Sequence, residues 1–219
     1  CGTNKINNMN NKYHLLLSLI MGLNTICSSQ AIPTLKISKQ TWMLTNLDAI
    51  VFNNGDTIQQ AKTFVEWKDA ALTGKPAWCY YMNSEDSGKI YGKLYNWFAV
   101  NDKRGLAPKG FHIPSVDEWT ILIEATGGEK QGGAKLKSKQ FWMEDCGGKN
   151  QTGFTALPAG FRLCDGSYYS IGLNTNFWTS TSGDRDLDYA YSVDVDCGAK
   201  IIFSYNKKCL GLSVRCIQN

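Results

Sequence analysis

The sequence predicts an α+β domain, with its helices early in the chain and its short strands late. Two observations predict it. Residues 115–128 have the spacing and the end signals of one well-defined helix, and from Gly132 onward the chain breaks into short β-type segments. The 219 residues are 43% hydrophobic and 12% aromatic, which is enough to bury a core and excludes wholesale disorder.

The first part of the domain reads as strands, turns and weak helix. The segments in order are a strand region at 35–51, a turn at 53–56, a weak helix or irregular segment at 60–72, an aromatic strand at 77–82 and a polar loop at 85–89. Trp42 and Leu47 are the expected core residues of the first strand region. The Asn-Gly pair at 54–55 suits the positive φ of a tight turn.

A first helix is expected in the string YGKLYNWFAVND. Leu94, Trp97 and Phe98 have the i, i+3, i+4 spacing of one helix face. Such a stripe of large apolar side chains is the usual signature of core packing. We therefore expect these three residues to lie in the core.

A second helix has explicit boundaries at 116–126. Ser115 precedes Glu118 by three residues, which is the spacing of a capping box, and Gly127-Gly128 marks the end. The apolar face repeats at i, i+3, i+4 through Trp119, Leu122 and Ile123. Glu118 is therefore interpreted as a capping residue rather than as an acid or base catalyst.

Beyond Gly132 we expect short β elements and no further regular helix. The candidate strands lie at 153–162, 166–172, 176–182, 190–195, 200–205 and 212–217. No internal repeat and no low-complexity tract interrupts them. The formal net charge is +4 without any block of Lys or Arg, so the sequence offers no nucleic-acid footprint.

Residues 1–31 read as a leader that precedes a domain at 32–219. The leader contains no Asp or Glu, and its apolar run at 13–26 is shorter than a membrane-spanning helix requires. Ser29 and Ala31 fit the small-x-small rule for cleavage of a secretory signal peptide. The prediction is a protein that is secreted or held on the outer cell surface.

Two alternatives for the leader stay open. Cys27 or Cys1 could carry a lipid, which would make the protein a lipoprotein and is the only membrane attachment we expect. The apolar run could also be a buried N-terminal helix, although it lacks an amphipathic period.

The cysteines of residues 32–219 form an even set, which in an exported chain predicts disulfides. They are Cys79, Cys146, Cys164, Cys197, Cys209 and Cys216. No C-x-x-C pair occurs and His112 is the single histidine of this range, so the usual ligands of zinc are missing.

Several strings now coincide in order along the chain. They are TWMLTNL, NNGDTI, AWCYYMN, YGKLYNWFAV, RGLAPKGFHIPSVDEW, GAKLKS, GFTALPAGFR, FWTSTS and LSVRC. Together they resemble the Fibrobacter succinogenes major paralogous domain over about residues 35–219, a family abundant in exported and surface proteins of Bacteroidota-type bacteria. HIPSVDEW and LSVRC are also distantly similar to strings of the formylglycine-generating enzymes. That likeness implies a C-type-lectin-like fold, with a small twisted antiparallel sheet, two helices and long irregular loops.

One departure from the family pattern concerns the disulfides. Many members have a cysteine where this chain has Ala107, so one cysteine either pairs elsewhere or remains a free thiol. Six cysteines allow 15 connectivities. Local loop closure favours the pairs Cys146–Cys164 and Cys197–Cys209, which leaves Cys79–Cys216.

Two enzymatic alternatives are weighed against a structural role. Thiol oxidation of the formylglycine-generating kind needs two reactive cysteines, and Cys209 and Cys216 are the nearest pair. Hydrolysis would use His112, but no G-x-S-x-G string accompanies it, and a histidine before a helix N-terminus favours a neutral hydrogen-bonding role. Structural disulfides are the favoured interpretation, and the expectation is a protein that is not an enzyme.

No cofactor is expected, with calcium as the one candidate ion. Asp184, Asp186 and Asp188 alternate in GDRDLD, and alternating carboxylates on a loop can wrap a hard cation. Arg185 inside the run and the lack of an EF-hand pattern favour a solvated acidic loop instead.

Aromatic side chains supply the candidate ligand-binding residues, which are Tyr168, Tyr169 and Trp178. Trp178 lies in a family string, which favours a core role for it over ligand contact. Strand alternation should turn one of the two tyrosines outward. The sequence thus predicts a non-catalytic domain that binds a cell-surface polysaccharide or protein, with a thiol-oxidising enzyme and a structural subunit of a surface assembly as alternatives.

Overall fold

The computed structural model describes residues 31–219, and these fold as helices and three small sheets. The leader hypothesis and its alternatives fall on residues that lie outside this range, except for Ala31. The helices are α1 (Phe64–Thr73), α2 (Glu85–Tyr91), α3 (Trp97–Val100), α4 (Val116–Ala125) and α5 (Gly132–Leu136). A 3-10 turn occupies Tyr81–Asn83.

The strands are short, as the sequence predicts. They are β1 (Thr34–Ile37), β2 (Gln40–Met43), β3 (Gln59–Gln60), β4 (Ala77–Cys79), β5 (Leu94–Tyr95), β6 (Phe111–His112), β7 (Ala159–Arg162), β8 (Tyr168–Ile171), β9 (Thr175–Ser182), β10 (Tyr189–Val195), β11 (Ile201–Lys207) and β12 (Ile217–Gln218). The α+β class is confirmed.

Strand order shows how the two ends of the domain meet. The sheets are β1-β2-β12-β6, β11-β10-β9-β7-β8 and β3-β4-β5, and their pairs are antiparallel except β3–β4 and β7–β9. Ile217 of the last strand pairs with Trp42 on one side and with His112 on the other. The final strand therefore lies between the first hairpin and the segment that leads into α4.

Helix α4 forms as predicted. The Ser115 hydroxyl accepts a hydrogen bond from the Glu118 backbone N–H at 3.3 Å, and a Glu118 carboxylate oxygen accepts one from the Ser115 backbone N–H at 2.8 Å. The apolar face packs into an aromatic cluster in which the rings of Trp119 and Trp42 lie 4.8 Å apart. Gly127 follows the helix with a φ of +98°, which ends it.

Glu118 does more than cap the helix, because its second oxygen lies 2.7 Å from Nε2 of His112. Burial by itself would raise the pKa of Glu118, but hydrogen bonds from Ser115 and His112 outweigh burial and lower the pKa. The folded state therefore favours the ionised carboxylate.

Glu118→Gln is expected to lower the free energy of unfolding by about 1 kcal/mol at pH 7, since water partly screens this pair. Gln keeps an acceptor for the helix N-terminus but loses the charge that faces His112. A lowered folded-state pKa stabilises the fold above pH 4.5, the ordinary carboxyl value, and this stabilisation is lost as the pH falls through the lowered pKa. Urea unfolding at several pH values should show wild type and variant converging in acid; a gap that stays constant would contradict the assignment.

Three helix predictions were wrong. Helix α3 begins only at Trp97, because the side chain of Asn96 caps the N–H of Ala99 at 3.1 Å, and Leu94 lies in β5. Leu94 and Trp97 are nevertheless buried, as expected. The predicted polar loop at 85–89 is helix α2, which Ser84 caps.

The third wrong prediction concerns α5, since no helix was expected after Gly132. This helix packs tightly on the backbone of a later loop. A Cβ built at Gly133 would lie 2.8 Å from the carbonyl oxygen of Ala199, so glycine is required there for close approach. The glycines at 132–133 are typical of a loop in the sequence, whereas in the structure they mark a packing contact.

The predicted disulfide pairs were also wrong. The bonds are Cys146–Cys197 and Cys164–Cys209, while Cys79 and Cys216 are buried free thiols. Backbone hydrogen bonds of 2.8 and 2.9 Å between Arg162 and Gly211 bring the two flanking segments together. The Cys164–Cys209 pairing follows from this long-range contact, and local loop closure does not account for it. Two disulfides indicate an oxidising compartment.

Four cations are buried among backbone carbonyls and aromatic rings, namely Lys93, Lys137, Arg162 and Arg215. Lys137 donates to the carbonyls of Asp196, Cys197 and Gly198 at 2.7–3.1 Å and so holds the loop that Cys146 also reaches. Arg162 lies between the rings of Trp67 and Tyr168, 4.7 and 4.8 Å from their centres. These cations donate to backbone carbonyls of irregular segments, which have no hydrogen-bond partner within a helix or a sheet.

Within residues 31–219, none of the helices has the length and apolar character that crossing a bilayer requires.

Candidate binding site

A trough on the surface is centred on Phe98, whose half-buried ring borders two neighbouring depressions. The first has a volume of about 520 Å³ and is lined by Gly74, Pro76, Trp97, Phe98, Asn101, Asp102, Lys103 and Arg104. The second has a volume of about 480 Å³ and is lined by Lys68, Ala71, Leu72, Phe98, Cys164, Asp165, Asp188, Lys207, Lys208 and Cys209. We call these two depressions together the Phe98 trough.

The position of Phe98 is fixed by its neighbours in the YNWFAV string. Asn96 accepts from the Ala77 N–H at 3.0 Å and donates to the Lys75 carbonyl at 2.8 Å, which ties α3 to the segment before β4. The Trp97 indole is buried and donates to the Thr179 carbonyl at 3.1 Å. Gly74 ends α1 in the left-handed conformation with a φ of +63°, and a Cβ built there would be in ordinary contact with the Phe98 ring at 3.7 Å.

One end of the trough carries a clamped arginine. Arg104 donates to Asp102 at 2.8 and 2.9 Å and to Asp56 at 3.0 Å. Its guanidinium also lies over the Phe52 ring, 4.1 Å from the ring centre. Hydrogen bonding to Arg104 lowers the pKa of Asp102, so this end presents fixed, ionised groups.

The other end combines apolar surface with lysines. The Cys164–Cys209 disulfide forms part of the wall, and Leu72 is 78% exposed. The Lys208 ammonium lies 4.5 Å from the centre of the Trp97 ring and donates to the Leu187 carbonyl, so it is held in place. Lys68 and Lys207 are exposed at the rim.

An aromatic ring between two polar ends suits a ligand that offers both an apolar face and hydroxyl or charged groups. The trough therefore has the composition of a binding groove. The sulfur atoms that line it are joined in a disulfide, so they supply no thiolate nucleophile.

The three aromatic residues predicted to contact a ligand differ in their exposure. Tyr169 is 50% exposed, and its ring stacks on Phe161 with centroids 6.1 Å apart. Tyr168 turns inward over Arg162, which confirms that one of the two tyrosines faces outward. Trp178 is fully buried and its indole donates to the Tyr95 carbonyl at 2.8 Å, which fits the core role that the sequence favoured for it.

The acidic loop uses its carboxylates locally. Asp184 accepts from the Tyr191 hydroxyl at 3.2 Å, and Asp186 accepts from the Asp188 N–H at 2.9 Å. Over residues 31–219, no three side chains of the His, Cys, Asp and Glu types come together as a metal cluster. Asp188 instead lines the Phe98 trough.

The cysteines and the histidine considered for the two enzymatic alternatives are not arranged as those reactions require. Cys209 is bonded to Cys164, and burial raises the pKa of the Cys216 thiol to about 12. Both ring nitrogens of His112 are already 2.7 Å from an oxygen, one of Glu118 and one of Asn219. His112 is thus held as a hydrogen-bonding link between β6, α4 and the last residue.

The sequence analysis did not predict two exposed apolar residues. Phe141 and Met143 are 48% and 56% exposed on the loop before Cys146, while Trp142 between them points inward and donates to the Ala156 carbonyl at 3.0 Å. Phe141 has a φ of +72°, a conformation that costs energy for a bulky side chain. The run of three large apolar residues at 141–143, close to Cys146, was the sequence signal that could have indicated this exposed surface.

The family model of the Fibrobacter succinogenes major domain matches residues 35–218. The chain belongs to this family. No curated protein and no solved structure shows a match to the chain. In this Fibrobacter succinogenes major domain, the residues of the strings are mostly structural, because Trp42, Trp97, Trp178, Arg162 and Arg215 are all buried. Trp97, Phe98 and Arg104 are the string residues that line the trough.

Proposed function

We propose that this Fibrobacter succinogenes major domain is an exported, non-catalytic binding domain whose ligand is a polysaccharide. The proposal includes the finer prediction of a C-type-lectin-like fold and a location outside the cell or on its surface. The Phe98 trough is the observation that carries the proposal, since it joins an open aromatic ring to fixed polar groups on both sides.

Sugar rings have apolar faces and hydroxyl edges, which match this arrangement. A face can stack on Phe98, while hydroxyls meet Asp102, Arg104 and the lysines of the opposite end. Arg104 and Lys208 are already held by neighbouring groups, so binding loses little of their conformational entropy.

A second candidate is the role of a structural subunit that contacts another protein. The exposed Phe141 and Met143 favour it, together with Leu173, which follows Gly172 beside them. The Met143 N–H donates to the Gly172 carbonyl at 2.8 Å, so the loop is held against this neighbour. Exposed apolar patches commonly mark protein contacts.

Phe98→Ala separates the two candidates. We expect the disulfide-bonded protein to bind at least one member of a panel of cell-wall polysaccharides, and Phe98→Ala to weaken that binding about tenfold, which corresponds to about 1.4 kcal/mol. Phe141→Ala serves as the matched aromatic control and should bind normally. Lys207→Gln, at an exposed position, should also weaken binding without affecting the fold.

Three results would contradict the polysaccharide proposal. They are failure of wild type to bind any polysaccharide, undiminished binding by both trough variants, and loss of binding in Phe141→Ala instead. The last result would favour the contact surface at 141–143. Thermal unfolding of each variant shows whether a loss of binding reflects a loss of fold.

A further inference from the structure

Three lysines at one end of the Phe98 trough lack an acidic partner in the protein. Lys68, Lys207 and Lys208 all line the depression that the Cys164–Cys209 disulfide borders. Within residues 31–219, none of the three forms an ion pair with a carboxylate. At the other end of the trough, by contrast, Arg104 is already paired with two carboxylates. The free positive charge of the trough is therefore concentrated at the lysine end.

Two carboxylates line the same depression but leave these lysines unpaired. Asp165 Oδ1 accepts from the N–H and from the hydroxyl of Ser167, at 2.9 and 2.5 Å, which holds it in its own turn. Asp188 lies opposite Lys208, whose backbone N–H donates to the Asp188 carbonyl at 2.8 Å, yet their charged groups form no ion pair among the residues described. The depression thus keeps three available ammonium groups and an excess of positive charge.

Lys208 is the best prepared of the three lysines to hold an anion. Its ammonium lies 4.5 Å from the centre of the Trp97 ring and donates to the Leu187 carbonyl, so its position is fixed. A lysine ammonium has three N–H donors. Within the described part of the chain, this carbonyl is the only hydrogen-bond acceptor that Lys208 Nζ contacts, so its other donors are available to a ligand. Fixing a lysine side chain in advance lowers the entropy that binding costs.

The walls of the depression strengthen the effect of these charges. Phe98, Leu72, Ala71 and the disulfide contribute apolar surface beside the ammonium groups. A ligand that binds there displaces water, and the attraction between opposite charges grows as the surrounding dielectric constant falls. Low-dielectric walls also concentrate the electric field of the cations in the depression. A negative group that enters beside Phe98 is therefore favoured over a neutral one.

We propose that the ligand of the Phe98 trough is an acidic polysaccharide, one whose sugar rings carry carboxylate or sulfate groups. This inference rests on the proposed function and adds the charge of the ligand to it. The apolar face of a sugar ring stacks on Phe98, and an anionic group of that ring or the next meets Lys208, with Lys68 and Lys207 beside it. Lysine binds either anion as a point charge, so both belong to one ligand class.

Two matched pairs of polymers test the charge of the ligand on the disulfide-bonded protein. Polygalacturonate is compared with its methyl ester, and dextran sulfate with dextran, by isothermal titration calorimetry. We expect one acidic polymer or both to bind about tenfold more tightly than the neutral counterpart. This binding should weaken about tenfold between about 50 and 500 mM sodium chloride, because salt screens exposed charges. The two acidic polymers distinguish a carboxylate ligand from a sulfate ligand.

Substitutions in the depression should change this binding in opposite directions. Lys208→Met keeps an aliphatic stem beside Trp97 but removes the charge, and we expect it to weaken binding of the acidic polymer about tenfold. Lys207→Gln, at an exposed position, should weaken it as well, independently of the contacts that Lys208 makes. Asp188→Asn removes a repelling carboxylate and should strengthen the binding about threefold. Lys39→Gln removes the same charge from an exposed position that does not line the trough, and it should bind as wild type does.

Failure of both acidic polymers to bind, or equal binding of their neutral counterparts, would overturn this inference. Unchanged binding by both Lys208→Met and Lys207→Gln would also overturn it. An equal loss in Lys39→Gln would do the same, because it would show attraction to the net charge of the protein instead of to the trough. The polysaccharide proposal depends on the whole panel and on Phe98→Ala. Phe98-dependent binding of neutral polysaccharides alone would leave that proposal intact and overturn only this one.

Discussion

Arg215→Met is expected to lower the free energy of unfolding by about 3–5 kcal/mol. Arg215 is fully buried, and its guanidinium donates to Asn46 Oδ1 at 2.6 and 3.0 Å and to the carbonyls of Phe154 and Leu44 at 2.7 and 3.1 Å. It also lies 4.5 Å from the centre of the Phe154 ring. Methionine fills much of the volume but leaves these oxygens buried without a donor.

Burial lowers the pKa of Arg215, and the surrounding oxygens favour the charged form that the fold uses. Urea unfolding at pH 7 measures the loss, with Arg185→Met as the matched control at an exposed position. The control should change stability by less than about 0.5 kcal/mol. A loss below 1 kcal/mol for Arg215→Met would show that the buried cation does not hold the β1–β2 segment to the last strand.

Removal of the Cys146–Cys197 disulfide by Cys146→Ala with Cys197→Ala should cost about 2–4 kcal/mol. The bond spans 51 residues, so it restricts the unfolded chain strongly, and it holds the loop that carries Phe141. Part of the contact survives, since Lys137 still donates to the carbonyls of 196–198.

Peptide mapping under non-reducing conditions checks the pairing itself. A peptide that joins Cys146 to Cys164 would contradict the structure. Cys79 and Cys216 should resist alkylation in the folded protein and react once it is unfolded, because both are buried. Rapid labelling of either thiol in the folded state would favour the thiol-oxidising alternative.

The sequence predicts α4 well because its signals are local. Ser115, Glu118 and the glycines after the helix act within a few residues of one another, and the structure confirms each. The late strands were predictable for the same reason, since turn residues separate short apolar segments. Strand alternation alone predicted that one of Tyr168 and Tyr169 faces outward, and the exposed one is Tyr169.

Long-range contacts explain what the sequence did not reveal. The disulfide partners depend on which loops the sheet brings together, and the apolar stripe at 94–98 is divided between β5 and α3 by the cap at Asn96. Phe98 was expected in the core, whereas its ring borders the trough.

The strings of the Fibrobacter succinogenes major domain thus describe a scaffold more than a site. Their tryptophans, together with Arg162 and Arg215, are buried, where they fill the core and satisfy irregular backbone. Membership in the family does not name a ligand. The candidate contact residues are exposed instead, and they lie at the trough and on the loop of Phe141.

The central claim is that this scaffold presents the Phe98 trough to a polysaccharide. The most direct measurement is an NMR titration of the isotope-labelled protein with an oligosaccharide of whichever polysaccharide it binds. We expect the largest amide shifts at Gly74, Phe98 and Lys207, on both sides of the ring. Shifts that centre on Phe141 and Met143, with the trough unchanged, would contradict the claim.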